Sequence, residues 1–228
     1  MDQVTVGTYT EATDPDCIDE ETAARLLRGA PWRRLAIIGD STAIGLGQPH
    51  PGYRPLTWSA RLADALAMAV GPINYLNSGK AWATSRDVAD KQISLMTAFG
   101  PDLVFITCGG NDIMAMDISF DSIEANLDEL FSAARSTGAQ LMTMAYADAF
   151  PDPTMLPIRE RLAKLNDRIH SVARRHDAIV VDLWSHSVGK RADVMSKDRV
   201  HFNMSGHAVL AAEAIKALAT RVPRNSKV

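Results

Sequence analysis

Short apolar runs alternate along this chain with longer stretches in which apolar residues recur every three or four positions. Continuous apolar runs are typical of strands that are covered on both faces. They predict five strands, at residues 35–38, 73–76, 103–107, 140–145 and 178–183. The 3.6-residue period predicts helices at 19–28, 57–70, 84–98, 120–134, 158–172 and 205–222. Strands and helices therefore alternate over the whole chain.

This alternation predicts the α/β fold class, as a three-layer α/β/α arrangement around a five-stranded parallel sheet. Right-handed crossovers favour the flavodoxin-like strand order 2-1-3-4-5. In that order the loops after strands 2, 1 and 3 lie side by side at the carboxyl edge of the sheet, and ligands bind in the crevice there. We therefore expect the functional residues in these three loops.

The first residues differ from the rest of the chain. Residues 1–17 are polar and rich in threonine and aspartate, which predicts a loose N-terminal leader. Residues 18–223 contain all the predicted elements and no internal repeat or linker, so we expect them to form a single domain. Loops rich in glycine and proline at 45–55, and in proline at 150–157, interrupt the pattern within it.

Composition and charge argue against several classes of protein. The 228 residues are 46% hydrophobic and 22% charged, as in soluble globular proteins. A formal net charge of −3 without blocks of like charge gives no footprint for nucleic acid. The most apolar helical stretch, 62–70, is too short to insert into a bilayer. Two cysteines are too few for a disulfide framework, and the N-terminus lacks the features of a signal peptide, so we expect a cytoplasmic protein.

The first predicted strand ends in Gly39-Asp40-Ser41-Thr42. Glycine allows a sharp turn there, and the three polar residues that follow are good N-caps for a helix. Ser41 would then lie at the carboxyl edge of the sheet, beside helix N–H groups that can hold an anion. The same residues also form an ordinary strand-to-helix cap, so this stretch alone does not identify a nucleophile.

Two other kinds of site are poorly supported. Gly39, Gly45 and Gly47 follow a strand, but their spacing is not the G-x-G-x-x-G of a dinucleotide site, and the chain has no G-K-[ST] phosphate loop. Asp198, His201 and His207 could converge on a metal ion, yet their spacing at a loop–helix junction is weak evidence. We therefore expect neither a metal nor a cofactor.

Serine acyl transfer needs a nucleophile, a base, a carboxylate that orients the base, and donors for the oxyanion. Ser41 supplies the nucleophile, while Asp198 and His201 suit a turn in which the carboxylate holds one ring nitrogen. Gly79 exposes its backbone N–H, and Asn111 offers an amide N–H. Each element is weak alone, because glycine and asparagine also form ordinary turns. Their presence at one edge of one sheet favours a catalytic site.

These stretches resemble, in order and spacing, the four sequence blocks of the SGNH (GDSL-type) hydrolases. The matching blocks are Gly39-Asp40-Ser41-Thr42, Asn77-Ser78-Gly79, Gly109-Gly110-Asn111-Asp112 and Asp198-Arg199-Val200-His201. The resemblance implies a catalytic triad of Ser41, Asp198 and His201. It also implies an oxyanion hole formed by the N–H groups of Ser41 and Gly79 and by the Asn111 side chain.

The chain departs from the family pattern at Arg199 and Phe202, where many members have glycine and proline. The departure leaves the triad intact and concerns the shape of the neighbouring pocket. Lys80, Trp82 and Tyr53 are predicted walls of that pocket, together with the loop at 148–157. Trp58 is a further candidate, although core packing is the better interpretation for a residue that opens a helix.

The resemblance predicts a serine hydrolase that cleaves a small or medium acyl ester through an acyl-enzyme on Ser41. Its partner is then a small-molecule ester, without cofactor or metal. Two alternatives stay open: an acyltransferase that uses the same acyl-enzyme, and a catalytically silent binding module on the same fold. The sequence leaves the acyl length and the oligomeric state open.

Overall fold

The computed structural model describes residues 9–150 and 153–223. Their strands are β1 (Arg34–Gly39), β2 (Asn74–Asn77), β3 (Leu103–Thr107), β4 (Gln140–Ala145) and β5 (Ile179–Asp182). These strands form one parallel sheet in the order β2-β1-β3-β4-β5. The predicted α/β class and strand order are therefore confirmed.

Helices cover both faces of the sheet. They are α1 (Glu20–Leu26), α2 (Ser41–Ile44), α3 (Trp58–Val70), α4 (Ser85–Phe99), α5 (Phe120–Ser136), α6 (Leu156–Arg175) and α7 (Met204–Ala219). Alternate residues of a strand point to opposite faces. Leu35 and Ile37 accordingly pack with α1, α3 and α7, whereas Ala36 and Ile38 pack with α4, α5 and α6. Strand β1 is thus held between two apolar layers, and the loop after it starts from a fixed point.

The strands lie within one residue of their predicted bounds and the helices within three. The largest difference with a local cause is at α6, which begins at Leu156, inside the segment predicted as a loop up to residue 157. Pro157 lies in the first turn of this helix, where the missing N–H of proline is not needed for a helical hydrogen bond. The proline that suggested a loop therefore begins a helix.

Residues 9–17 do not form the predicted loose leader, and residues 1–8 lie outside the described residues. Asp14 is only 5% exposed and accepts hydrogen bonds from the Tyr53 hydroxyl at 2.6 Å and from Arg191 at 2.9 Å. Burial alone would raise the pKa of Glu11, but hydrogen bonds from Arg61 and Arg54 lower it to about 2. Ion pairs and hydrogen bonds hold most of this segment, with an apolar contact at Cys17, so hydropathy gave no signal for it.

Candidate active site

The turn that presents Ser41 depends on Gly39 at the end of β1. Gly39 has φ +146°, and a Cβ atom there would lie 1.8 Å from the Thr107 carbonyl oxygen of β3. The Gln92 side chain of α4 accepts from the Gly39 N–H at 2.9 Å and donates to its carbonyl at 2.8 Å. Only glycine fits this position. The close packing fixes the direction in which the chain enters α2, whose first residue is Ser41.

Ser41, His201 and Asp198 form a continuous hydrogen-bonded chain. The Ser41 Oγ lies 2.8 Å from His201 Nε2, and His201 Nδ1 lies 2.8 Å from Asp198 Oδ2. The three side chains come from opposite ends of the sequence, one at the end of β1 and two in the segment before α7. This geometry suits a serine whose proton passes to the imidazole.

Asp198 lies in a tight turn together with His201. Its Oδ1 accepts the backbone N–H groups of Val200 at 2.9 Å and His201 at 3.0 Å. Partial burial would raise the pKa of Asp198, but the hydrogen bonds from the His201 ring and these two N–H groups lower it below its usual value. Asp198 is therefore ionised at neutral pH. Arg199 has φ +58°, a left-handed conformation that explains why glycine is common at this position of the block.

The Asn111 side chain is oriented by the segment before α4. Its Nδ2 donates one hydrogen to the Ala83 carbonyl at 2.9 Å, which leaves a second amide hydrogen for a ligand. The neighbouring Asp112 accepts the Ser85 N–H at 2.8 Å and the Ser85 hydroxyl at 2.6 Å. Asp112 thereby connects the loop after β3 to the start of α4 and holds Asn111 in place.

The N–H of Gly79 is already occupied in the structure. It donates to Asn77 Oδ1 at 2.9 Å, while Asn77 Nδ2 donates to the Ala43 carbonyl at 2.7 Å. Gly79 packs closely against α2, since a Cβ atom there would lie 2.7 Å from the Ala43 Cβ. The structure therefore gives Gly79 a clear packing role next to the nucleophile, and its N–H faces an asparagine oxygen.

Trp82 occupies a strained position beside Ser41. It has φ +67°, a left-handed conformation that costs a residue other than glycine roughly 1–2 kcal/mol. Its side chain is 82% exposed. No acceptor for its backbone N–H is found within the described part of the chain. The sequence predicted Trp82 as a pocket wall but contained no signal for this backbone conformation, which a glycine would have suggested.

A cavity of about 380 Å³ opens at these residues. Ser41, Asn111, His201 and Trp82 border it, and most of its remaining wall is apolar. The predicted loop after β4 contributes Ala149, Phe150 and Met155. Side chains from β4, α6 and α7 complete the wall. Sequence reasoning missed them because they belong to elements far apart in the chain that carry no motif.

The structure corrects two of the predicted pocket walls. Tyr53 is buried against Met204 and Ala208 and hydrogen-bonded to Asp14, away from this cavity. Lys80 borders a separate depression on the other side of Trp82. Trp58 is fully buried, packs on the Phe105 ring at 4.6 Å and belongs to the core, as the sequence favoured.

Of the residues considered for a metal site, Asp198 and His201 contact each other, whereas His207 makes separate contacts. His207 is buried in α7. Its Nδ1 accepts the Trp58 N–H at 3.3 Å, and its Nε2 lies 3.3 Å from the Leu46 carbonyl. Burial lowers the pKa of His207 to about 4, so its ring is neutral. Over residues 9–150 and 153–223 there is no group of three side chains that could hold a metal ion. Among the helices of the same residues, none combines the length and the hydrophobicity that a membrane span requires.

Asp40 is a buried carboxylate directly beside the nucleophile. It is 2% exposed, and its Oδ1 accepts the Thr42 N–H at 2.9 Å as the N-cap of α2. Burial raises its pKa from 3.8 to about 6, against the opposing effect of the Thr42 hydrogen bonds. The folded protein therefore holds a proton on Asp40 at pH values where the unfolded chain has lost it.

We expect Asp40→Asn to change how stability depends on pH. Because the folded pKa is raised, the stabilisation from this proton is complete below pH 3.8 and is lost as the pH rises through about 6. Asparagine keeps the cap acceptor without the charge. The unfolding free energy of the variant minus that of the wild type should therefore increase by about 2–3 kcal/mol when the pH is raised from 4 to 8.

Urea unfolding at both pH values measures this difference. Asp117→Asn, at an exposed aspartate, is the matched control and should follow the wild type. A constant difference between Asp40→Asn and the wild type at all pH values would contradict the prediction.

Comparison with known proteins identifies a matching family and several solved structures with a similar fold. The model of the GDSL-like Lipase/Acylhydrolase family matches residues 37–209. No curated protein sequence matched the chain. Three similar solved structures are each 22% identical to it. One is a variant of an acetyl xylan esterase from Geobacillus stearothermophilus, with a TM-score of 0.70 over 87% of this chain and 99% of that chain. The second is TesA, with a TM-score of 0.68 over 82% of this chain and 98% of that chain. The third is a lipase/acylhydrolase from Enterococcus faecalis, with a TM-score of 0.67 over 86% of this chain and 100% of that chain. At this identity they show the shared fold.

Proposed function

Because this chain belongs to the GDSL-like lipase/acylhydrolase family and is an esterase of that family, we propose that it cleaves a small or medium acyl ester through an acyl-enzyme on Ser41. One observation carries the proposal. Ser41 Oγ, the His201 ring and the Asp198 carboxylate are joined by two hydrogen bonds of 2.8 Å. The ring can take the serine proton without any rearrangement of the site.

In the proposed reaction Ser41 Oγ attacks the ester carbonyl carbon while His201 Nε2 accepts its proton. Asp198 holds the ring through Nδ1 and stabilises the imidazolium that forms. The tetrahedral intermediate collapses, and His201 returns the proton to the leaving alcohol. A water molecule then attacks the acyl-enzyme with the same base, releasing the acid and restoring the Ser41 hydroxyl.

The oxyanion of that intermediate needs donors close to Ser41. We assign the Ser41 N–H and the second hydrogen of Asn111 Nδ2 to this role. The Gly79 N–H could join them only after leaving the Asn77 oxygen to which it now donates.

The similar solved structures include an acetyl esterase and a lipase/acylhydrolase, so acetyl and longer acyl groups are both candidates. The chemistry also allows an alcohol to replace the deacylating water, which would make the protein an acyltransferase. We favour hydrolysis because the catalytic end of the cavity is open to water, with Asp198 51% exposed.

A panel of p-nitrophenyl esters, with and without a simple acceptor alcohol, tests the proposal. We expect Ser41-dependent release of free acid as the main product in both conditions. Turnover that is the same in Ser41→Ala would overturn the hydrolase and favour the silent binding module. A new ester as the main product at modest acceptor concentration would identify a transferase.

A further inference from the structure

The cavity beside Ser41 has an inner part that the catalytic groups do not occupy. Met144 of β4, Leu162 of α6 and Leu210 of α7 line it, and all three belong to the buried core. The whole cavity measures about 380 Å³, within the range of about 300–1,000 Å³ typical of small-ligand sites. An acetyl group would leave most of this space unfilled.

The two ends of the cavity suit different halves of an ester. His201 lies at the solvent end, beside Val200, which is 56% exposed. Since His201 must give a proton to the leaving alcohol, the alcohol occupies this open end. The acyl group extends from the same carbon in the other direction, toward the buried inner part.

The walls match an unbranched hydrocarbon chain. Four methionines line the cavity: Met114, Met144, Met155 and Met195. Methionine side chains are flexible and polarisable, so they adapt to an apolar partner of variable shape. We propose that the inner part binds the acyl chain and that the preferred substrates are esters of medium-length aliphatic acids rather than acetyl esters. The inference rests on the acyl-enzyme proposed at Ser41.

The sheet sets the length of chain that fits. Ser41 follows β1, and the wall residue Met144 lies on β4, two positions away in the sheet. Two strand spacings are roughly 10 Å. Single bonds of about 1.5 Å meet at tetrahedral angles and advance an extended chain by about 1.25 Å each, so about eight carbons beyond Ser41 Oγ cover this distance.

Chain-length profiles of kcat/KM for acetyl to dodecanoyl p-nitrophenyl esters test the inference. We expect kcat/KM to rise by up to about fourfold for each methylene that enters the cavity, with a maximum near octanoyl. Two wall variants should move that maximum in opposite directions. Ala147→Leu, on the buried wall after β4, should shorten the preferred chain. Leu162→Ala should raise activity toward decanoyl and dodecanoyl esters relative to octanoyl.

Ile169→Ala, a buried residue of the same helix α6 outside the cavity wall, is the matched control and should keep the wild-type profile. Circular dichroism checks that each variant is folded, and either wall variant alone suffices for the test. A wild-type kcat/KM that is highest for the acetyl ester would overturn the inference and leave the proposed hydrolase intact. Unchanged chain-length profiles in the folded wall variants would have the same consequence. Absence of Ser41-dependent turnover with every ester would overturn the proposed function together with the inference.

Discussion

His201→Ala should lower kcat by about 10⁴-fold or more, close to the loss in Ser41→Ala. In the proposed reaction His201 accepts the Ser41 proton as a base and then returns a proton to the leaving alcohol as an acid. Its Nε2 lies 2.8 Å from Ser41 Oγ. Alanine leaves no proton acceptor at this position. Steady-state kinetics with a p-nitrophenyl ester give the ratio.

Asp198→Ala should retain measurably more activity than His201→Ala. Asp198 acts through the imidazole, and because its side chain is half exposed, water can replace one of its hydrogen bonds to the ring.

His170→Ala is the control for this series, because His170 forms a comparable pair with Asp182 at 3.2 Å away from the site. It should keep wild-type activity. If His201→Ala kept most of the activity, another residue would be the base.

Asn111→Ala should lower kcat by on the order of 10²–10³ with little change in KM. The free hydrogen of its Nδ2 is proposed to bind the oxyanion, which carries full charge only in the transition state. The Ala83 carbonyl holds the amide in place before substrate arrives, so alanine removes a preorganised donor. The same ester assay gives kcat and KM separately.

Asn74→Ala provides the control, since Asn74 is an exposed asparagine at the start of β2, outside the cavity wall. Its kcat should match that of the wild type. A raised KM with unchanged kcat in Asn111→Ala would assign Asn111 to ground-state binding instead.

The fold was predictable because its two signals are periodic and local. Apolar runs identified the strands, and right-handed crossovers then favoured the order that is observed. The same order brings the loops after β1 and β3 together, so the sequence alone predicts Ser41 and Asn111 at one edge of the sheet. The segment with Asp198 and His201 came from the motif, because its approach to Ser41 depends on how α7 packs against the sheet.

Other features carried no periodic signal. The segment at residues 9–17 is held by buried charge pairs such as Asp14 with Arg191, which hydropathy reads as a polar tail. Trp82 adopts a left-handed backbone that its identity disfavours. The N–H of Gly79 is taken by the side chain of Asn77, a contact that depends on side-chain geometry. The inner cavity is formed where β4, α6 and α7 meet, and only tertiary packing defines it.

Covalent labelling of the nucleophile tests the central claim most directly. A fluorophosphonate probe reacts with a serine whose proton is taken by an adjacent base. The intact mass of the folded wild-type protein should increase by the mass of one bound probe group per chain, and peptide mapping should place the adduct on Ser41. Labelling should be lost in Ser41→Ala and strongly slowed in His201→Ala. Folded wild-type protein that takes up no probe, or takes it up at another serine, would contradict the account.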